Sequence, residues 1–340
     1  MTDVIIIRSE KRSAIMKRIL SVLLLLVLLS GFAAGHAETA PAETSWTTRI
    51  SARFATKEEG RQLMRNRTLF HDQIADSTLA FFLQKKGGSL EEYIEYSEAQ
   101  VLKFTPEEEQ RVNDTLDWLQ EQLEKHGMKL PDPGAVTFVK STGEEALGSA
   151  GYTSGGAVFL AWFTYMPEYY NDEMFRELVV HELSHCLSRK FPEYREALYS
   201  LIHFRVLDED IDVPEYIRNQ IIANPDVEHH DSCATFTIGG EKKDCYLVFL
   251  TDSVFEKPGD NFFSGMYSGV VPLDGSRIYR VEEVDDFWDV VGRNSDYVED
   301  PEELTAVNLA LALLHLDEGY GSFKNPEILE GITDWLKERP

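Results

Sequence analysis

The spacing of apolar residues changes several times along this chain, and each change marks an element. From about Glu38 to Pro133 the spacing is mostly helical. The clearest segment opens on Thr105-Pro106-Glu107-Glu108, carries Val112, Leu116, Leu119 and Leu123 on one face and stops at His126-Gly127. Ala135–Val139 and Gly156–Phe163 are rich in β-branched and aromatic residues and predict strands. Helical spacing returns in a segment running from Asp172 through His185, in Pro192–Phe204 and in Val213–Ala223. A second β-rich stretch spans Ser232 to about Val281, with Gly239-Gly240 in a polar turn between two apolar runs. Helices close the chain at Val284–Val291, Pro301–Leu316 and Pro326–Lys337. No repeat or low-complexity tract interrupts this order. It predicts an α+β fold: a helical N-terminal region over residues 38–133, then a unit over 134–340 with a small β-sheet and a mainly helical C-terminal half.

The N-terminus points to a compartment. Lys17-Arg18 precede an apolar run from Ile19 to Leu29, and Ser30-Gly31-Phe32-Ala33-Ala34-Gly35-His36-Ala37 follow. A basic start, a short apolar core and a small-residue exit predict a secretory signal over residues 1–37, cleaved after Ala37. Met16 directly before the basic pair offers an alternative start. The run is short for a bilayer span, so export to the periplasm or medium is expected, without stable membrane insertion. The chain carries a net charge of −26; residues 1–37 contribute +3, leaving −29 on the remainder. Such an acidic surface repels phosphates and anionic lipids, which argues against nucleic-acid and membrane partners. Of three cysteines, Cys233 and Cys245 flank the polar turn and are candidates for a disulfide, while Cys186 is expected as a small core residue.

Candidate chemistry is concentrated in His181-Glu182-Leu183-Ser184-His185, an HExxH segment within a predicted helix. Histidines four apart lie on one helical face, so both imidazoles can reach one metal ion. Glu182 sits beside that face, where it can take a proton from a water polarised by the metal. The ordinary alternative is two core histidines and a surface glutamate.

Zinc at a catalytic site takes three protein ligands and leaves a position for water. Cys186-Leu187-Ser188-Arg189-Lys190-Phe191 contains neither the glycine nor the histidine of the metzincin arrangement. A glutamate on a later helix is the remaining common solution. Asp300 is a suitable N-cap and Pro301 a suitable first residue for a helix carrying Glu303, with small Ala306 and Ala310 near the same face. Two assignments stay open for Glu303: third ligand, or the reciprocal arm of an Asp300-x-x-Glu303 capping box. Glu302 is the alternative ligand.

HELSH, followed much later by Tyr297-Val298-Glu299-Asp300-Pro301-Glu302-Glu303-Leu304-Thr305-Ala306, resembles bacterial zinc metallopeptidases of the gluzincin type. In these the third ligand is a glutamate in an E-x-x-A-(D/E) segment. The resemblance implies a zincin-like catalytic domain over residues 134–340, with His181, His185 and Glu303 on Zn2+ and Glu182 as general base. Gly151–Leu160 resembles the strand before the active-site helix. Val307 stands where the family usually has an acid that supports a histidine ligand, so that support comes from elsewhere or is weaker.

Tyr297 is the candidate donor to a developing oxyanion, with Tyr152 and Tyr279 as competitors. His229-His230, next to Asp231, offers metal ligands or transition-state donors but reads more simply as a solvated turn, and His203 reads as a hydrogen-bonded core histidine. The expected activity is hydrolysis of a peptide or protein substrate, which could add to a free sheet edge near Ala157–Leu160. The competing reading is a catalytically silent zinc-binding or interaction protein.

Overall fold

The described residues open with two short strands, β1 (Trp46–Thr47) and β2 (Ser51–Phe54), followed by five helices: α1 (Lys57–Arg65), α2 (Leu69–Gln73), α3 (Asp76–Leu83), α4 (Leu90–Ala99) and α5 (Pro106–His126). Our computed structural model describes residues 44–340. The expected export signal lies outside the described residues, and among those described no helix is long and apolar enough to cross a membrane. Helix α5 forms where its pattern predicts. Thr105 and Glu108 cap it reciprocally, Gly127 ends it at φ 65°, and Val112, Leu116, Leu119 and Leu123 are buried. Gly127 has the freedom to adopt that left-handed conformation, whereas a β-carbon there would be strained.

Strands β3 (Leu130–Pro131), β4 (Ala135–Ser141), β5 (Gly151–Ser154) and β6 (Ala157–Ala161) follow. A four-stranded sheet has the order β2-β4-β6-β5, with β2, β4 and β6 parallel and β5 antiparallel to β6. Residues on both sides of position 133 therefore share one sheet, and Thr44–Pro340 packs as one compact unit. Gly151–Leu160, expected as a single strand, is a hairpin. Gly155 and Gly156 turn it at φ 56° and 76°, the pair of left-handed residues that a two-residue hairpin needs. The edge expected near Ala157–Leu160 is also corrected, because β6 is paired on both sides and β5 is the outer strand.

Helix α6 (Asp172–Lys190) carries HELSH, and α7 (Pro192–Leu201), β7 (Arg205–Val206) and the one-turn α8 (Glu215–Arg218) follow. The helix expected over Val213–Ala223 stops early for a tertiary reason. Ile221 bridges to Leu250, Ile222 donates its N–H to Phe249 (3.0 Å), and Gln220 accepts from Thr251 (2.9 Å). Pairing with a sheet outweighs helical spacing here. That sheet has the order β11-β10-β9-β8-β7 and is antiparallel throughout; its remaining strands are β8 (Ser232–Ile238), β9 (Glu241–Thr251), β10 (Met266–Pro272) and β11 (Tyr279–Arg280). Helices α9 (Phe287–Val291), α10 (Pro301–Leu314) and α11 (Pro326–Lys337) end the chain. The architecture is mixed α and β with small sheets.

The register of β8 against β9 places Ala234, not Cys233, opposite Cys245. Neighbouring strand positions point to opposite faces, so the two sulfurs diverge and all three cysteines are free and buried. The considered disulfide does not form. Burial alone would keep these thiols protonated, and it pushes Cys186 and Cys245 up to about 12. Native protein should therefore react slowly with a thiol reagent, and denaturant without reductant should expose three thiols per chain. Recovery of a single thiol would contradict the register.

Candidate metal centre

Helix α6 is enclosed by the fold. Phe175, Val179, Val180, Leu183 and Leu187 are buried on several sides of it, and Asn171 caps its start by accepting the Met174 N–H (2.9 Å). Met174 itself is exposed. Its closest helical neighbour is α10, which is buried along most of its length, Ala306 and Ala310 fully so. That contact brings the residues of two distant segments together. His181 Nε2 lies 3.1 Å from Glu303 Oε2 and 3.1 Å from His185 Nε2, and His185 Nε2 lies 3.8 Å from Glu303 Oε2. For bonds of about 2.0–2.2 Å, tetrahedral ligand atoms sit roughly 3.3–3.6 Å apart. The donor set, two imidazole nitrogens and a carboxylate oxygen, fits zinc.

Glu303 does not cap its helix. Asp300 accepts the Glu302 N–H at 2.9 Å, while the Glu303 carboxylate turns away, one oxygen toward His181 and the other accepting from Asn224 Nδ2 at 2.6 Å. Although burial opposes its ionisation, the hydrogen bond from His181 and the charges of both histidines hold its carboxyl below the usual range. Glu302 lies on the other side of His185. Its Oε1 faces His185 Nδ1 at 3.0 Å and its Oε2 accepts from Tyr199 at 2.7 Å; Ser188 also donates to it. A proton on Nδ1 donated to Glu302 leaves Nε2 free as a ligand and fixes the ring. Glu302 therefore supplies from α10 the support that Val307 lacks, and it is not on the metal-facing side.

Glu182 is buried beside the histidines, with Thr153 Oγ1 donating to its Oε2 at 2.9 Å. Its other oxygen, Oε1, lies 2.9 Å from where a β-carbon on Gly151 would stand, so any side chain at 151 displaces it. Burial and then the neighbouring Asp226 raise the Glu182 carboxyl well above the ordinary range. Asp226 accepts the Thr153 N–H at 2.6 Å and reaches within 3.9 Å of His185 Nε2. Glu182, His185 and Asp226 thus form a second possible metal group that shares this nitrogen with the first. One lone pair serves one ion, so the two groups are alternatives.

Asn224, Asp226, Thr153 and Gly151 were not recognised from sequence. The first two sit in the irregular segment after α8, where no periodicity marks a role. Arg189 holds that segment, donating to the carbonyls of Pro225 (2.7 Å), Asp226 (3.1 Å) and Thr153 (3.0 Å). Ser188 was legible in principle, since it lies three residues after His185 on the same helix.

Among the candidate phenols, Tyr297 lines a cleft of about 350 Å³ together with His181, Glu182 and Glu303. Tyr297 is 41% exposed, and desolvation by the surrounding protein, then the carboxylates of Glu303 and Glu299, raise its phenol well above the ordinary value. Tyr152 also borders the cleft, but its hydroxyl donates to Glu145 (2.9 Å); Tyr279 packs against the main core. His229 is exposed against Asp210 (3.1 Å), and with Asp210 and Asp231 it forms a further group that could hold a metal ion. His230 departs from the reading as a solvated turn, because both its ring nitrogens are buried without a hydrogen-bond partner. His203 is exposed, not core, and pairs with the Val290 carbonyl at 2.8 Å.

The centre gathers buried carboxylates at unusual density. Burial and then Glu303 push Glu299 up to about 9, and burial raises Asp226 and Asp300 as well. Burying like charges this closely is costly unless protons or a cation compensate them, and a divalent ion meets that need. Comparison with protein-family models, curated proteins and solved structures finds no match for this chain.

The two adjacent glutamates should separate on substitution. Glu303→Gln removes a charged ligand atom and should weaken zinc binding most. Glu302→Gln keeps the ligands and loosens His185, for an expected loss of about 10–100-fold in affinity. Zinc titration against a competing chelator measures both, and unchanged affinity in Glu303→Gln would remove it from the ligand set.

Proposed function

We propose that this chain is an exported zinc-dependent peptidase with a zincin-like catalytic unit. One observation carries the reading: His181, His185 and Glu303 converge from two buried helices while Glu182 stands alongside, at the end of an open cleft. The N-terminal signal signature supports export. A zinc ion held by the three ligands supplies Lewis acidity toward a carbonyl oxygen and toward water.

The remaining work falls to side chains. Thr153 occupies Glu182 Oε2, which leaves Oε1, facing Gly151 on the cleft wall, to accept a proton from the attacking water. A carboxylate raised by burial and by Asp226 is a stronger base than an ordinary one, and once protonated it can pass the proton to the leaving amine. Tyr297, protonated and beside Glu303, donates toward the oxygen that gains charge; removing such a donor costs about 10²–10³-fold in rate. Substrate backbone cannot pair with β5 at Thr153, whose N–H and carbonyl are engaged by Asp226 and Arg189. Gly151, which lines the cleft, is the part of the edge nearest the chemistry.

A zinc-binding protein without catalysis is the second reading, and Asp226 is what favours it. Its carboxylate stands as close to His185 Nε2, at 3.9 Å, as that of Glu303 does at 3.8 Å. A fourth protein ligand would occupy the position that catalysis reserves for water. Cobalt substitution discriminates the two, because Asp226→Asn alters the visible spectrum only if Asp226 is a ligand.

Glu182→Gln tests the enzyme directly. It preserves shape and all three ligands, so zinc content should remain at about one per chain while peptide hydrolysis falls roughly 10²–10⁴-fold. Undiminished hydrolysis in this variant would place the chemistry elsewhere.

A further inference from the structure

Asn224, in the irregular segment after α8, is bonded into the metal centre at both ends of its amide. Its Nδ2 donates to Glu303 Oε1 at 2.6 Å and to Glu299 Oε2 at 3.4 Å, while its Oδ1 accepts the Asp226 N–H at 2.9 Å. The last of these bonds fixes the orientation of the amide. With the oxygen on the Asp226 N–H, the nitrogen faces the carboxylates, and both of its hydrogens have acceptors. An aspartate at 224 would set a charged acceptor against Glu303, and a lysine would supply a full charge where the metal supplies its own. A neutral amide does neither.

Two carboxylates compete for one place beside His185. Glu303 Oε2 and Asp226 Oδ1 lie 3.8 and 3.9 Å from His185 Nε2, so proximity to this histidine does not choose between them. Their other contacts differ. Glu303 Oε2 is also 3.1 Å from His181 Nε2, and Asn224 holds its second oxygen. A ligating carboxylate bonded through one oxygen presents the other in a fixed direction. Asp226 Oδ1 is occupied instead by the Thr153 N–H at 2.6 Å, and its backbone is tied down by Asn224 Oδ1 and by Arg189 on the Pro225 and Asp226 carbonyls. Just upstream, Ile221 bridges to Leu250 and the Ile222 N–H reaches the Phe249 carbonyl, so the second sheet sets where Asn224 stands.

We propose that Asn224 is a positioning residue that gives the third ligand place to Glu303 and withholds it from Asp226. The assignment rests on the metal-binding part of the reading above and is independent of peptide hydrolysis. Without the amide, Glu303 loses the donor to its second oxygen and Asp226 loses an anchor for its backbone. The two carboxylates then stand on nearly equal terms beside His185 Nε2. Asn224 thereby couples the second sheet to the choice of ligand on α10, a role that neither helix can fill for itself.

The test uses full-length protein and two readouts that need no substrate: zinc titration against a competing chelator, and the visible spectrum of the cobalt-loaded protein. Asn224→Ala removes both arms of the amide. Asn224→Asp has the same shape, keeps an oxygen for the Asp226 N–H and removes only the donor to Glu303. Each should lower zinc affinity by about 10–100-fold, the range for a residue that orients a ligand, and change the cobalt spectrum. A merely structural role could also weaken binding, so the deciding measurement is coupling. Adding Glu303→Gln to Asn224→Ala should cost much less than Glu303→Gln alone, because the amide acts through that carboxylate. Asp226→Asn should barely alter zinc affinity or the cobalt spectrum of the parent protein, yet weaken binding and change the spectrum once Asn224→Ala is present. Should Asn224→Ala fail to fold, Asn224→Asp carries the comparison with Glu303→Gln. Independent losses for Asn224→Ala and Glu303→Gln, or equal effects of Asp226→Asn in both backgrounds, would overturn the proposal and leave Glu303 a ligand. Unchanged zinc affinity in Glu303→Gln alone would overturn the ligand assignment, and this proposal with it.

Discussion

The contact between α6 and α10 is the constraint on which the site depends. Each helix is too thoroughly buried to stand alone, since apolar residues cover several sides of α6 and nearly all of α10. Burying both removes their backbones from water and leaves their polar side chains with few partners other than one another. His181 and His185 therefore face Glu303, and His185 is gripped from behind by Glu302. Ala306 and Ala310 are fully buried on α10, so a larger side chain at either would have to displace its neighbours. Overpacking of such a core typically costs about 1–3 kcal/mol.

Around this contact the fold concentrates negative charge at a depth where charge is expensive. Glu182, Asp226, Glu299, Asp300, Glu302 and Glu303 are all buried or nearly so, and they differ in how each is compensated. Glu302 has His185, Ser188 and Tyr199 and stays ionised; Glu303 has His181 and Asn224. Glu182 and Asp226 have fewer donors and are raised by burial. Environment thus sets these carboxyls apart, with Glu302 and Glu303 held below the usual range by their donors and Glu182 raised well above it by burial.

The remaining elements hold this arrangement and shape access to it. Arg189 ties α6 to β5 and to the segment bearing Asn224 and Asp226 through three carbonyls. Hydrogen bonds from Ile222 to Phe249 and from Thr251 to Gln220 pull the same segment onto the second sheet. Before residue 133, strand β2 joins the four-stranded sheet, and helices α2 and α3 line the cleft with Phe70 and Phe82.

Local pattern sufficed for much of this. Helix α5 with its cap and its glycine stop, the HELSH helix, the Gly239-Gly240 hairpin and the start of α10 at Asp300 each follow from interactions within a few residues, and such interactions are written in sequence spacing. The proximity of His181 and His185 is equally local, being one helical turn. The choice between ligand and cap for Glu303 was not, because both need the same residue at the same helix position and only the approach of α6 turns the carboxylate away from Asp300. The same holds for Glu302 in place of an acid at Val307, for the one-position offset that parts Cys233 from Cys245, and for the early end of the Val213–Ala223 helix. Those outcomes depend on register and packing between segments distant in the chain, where long-range pairing competes with local preference and prevails by burying more surface and satisfying more backbone groups.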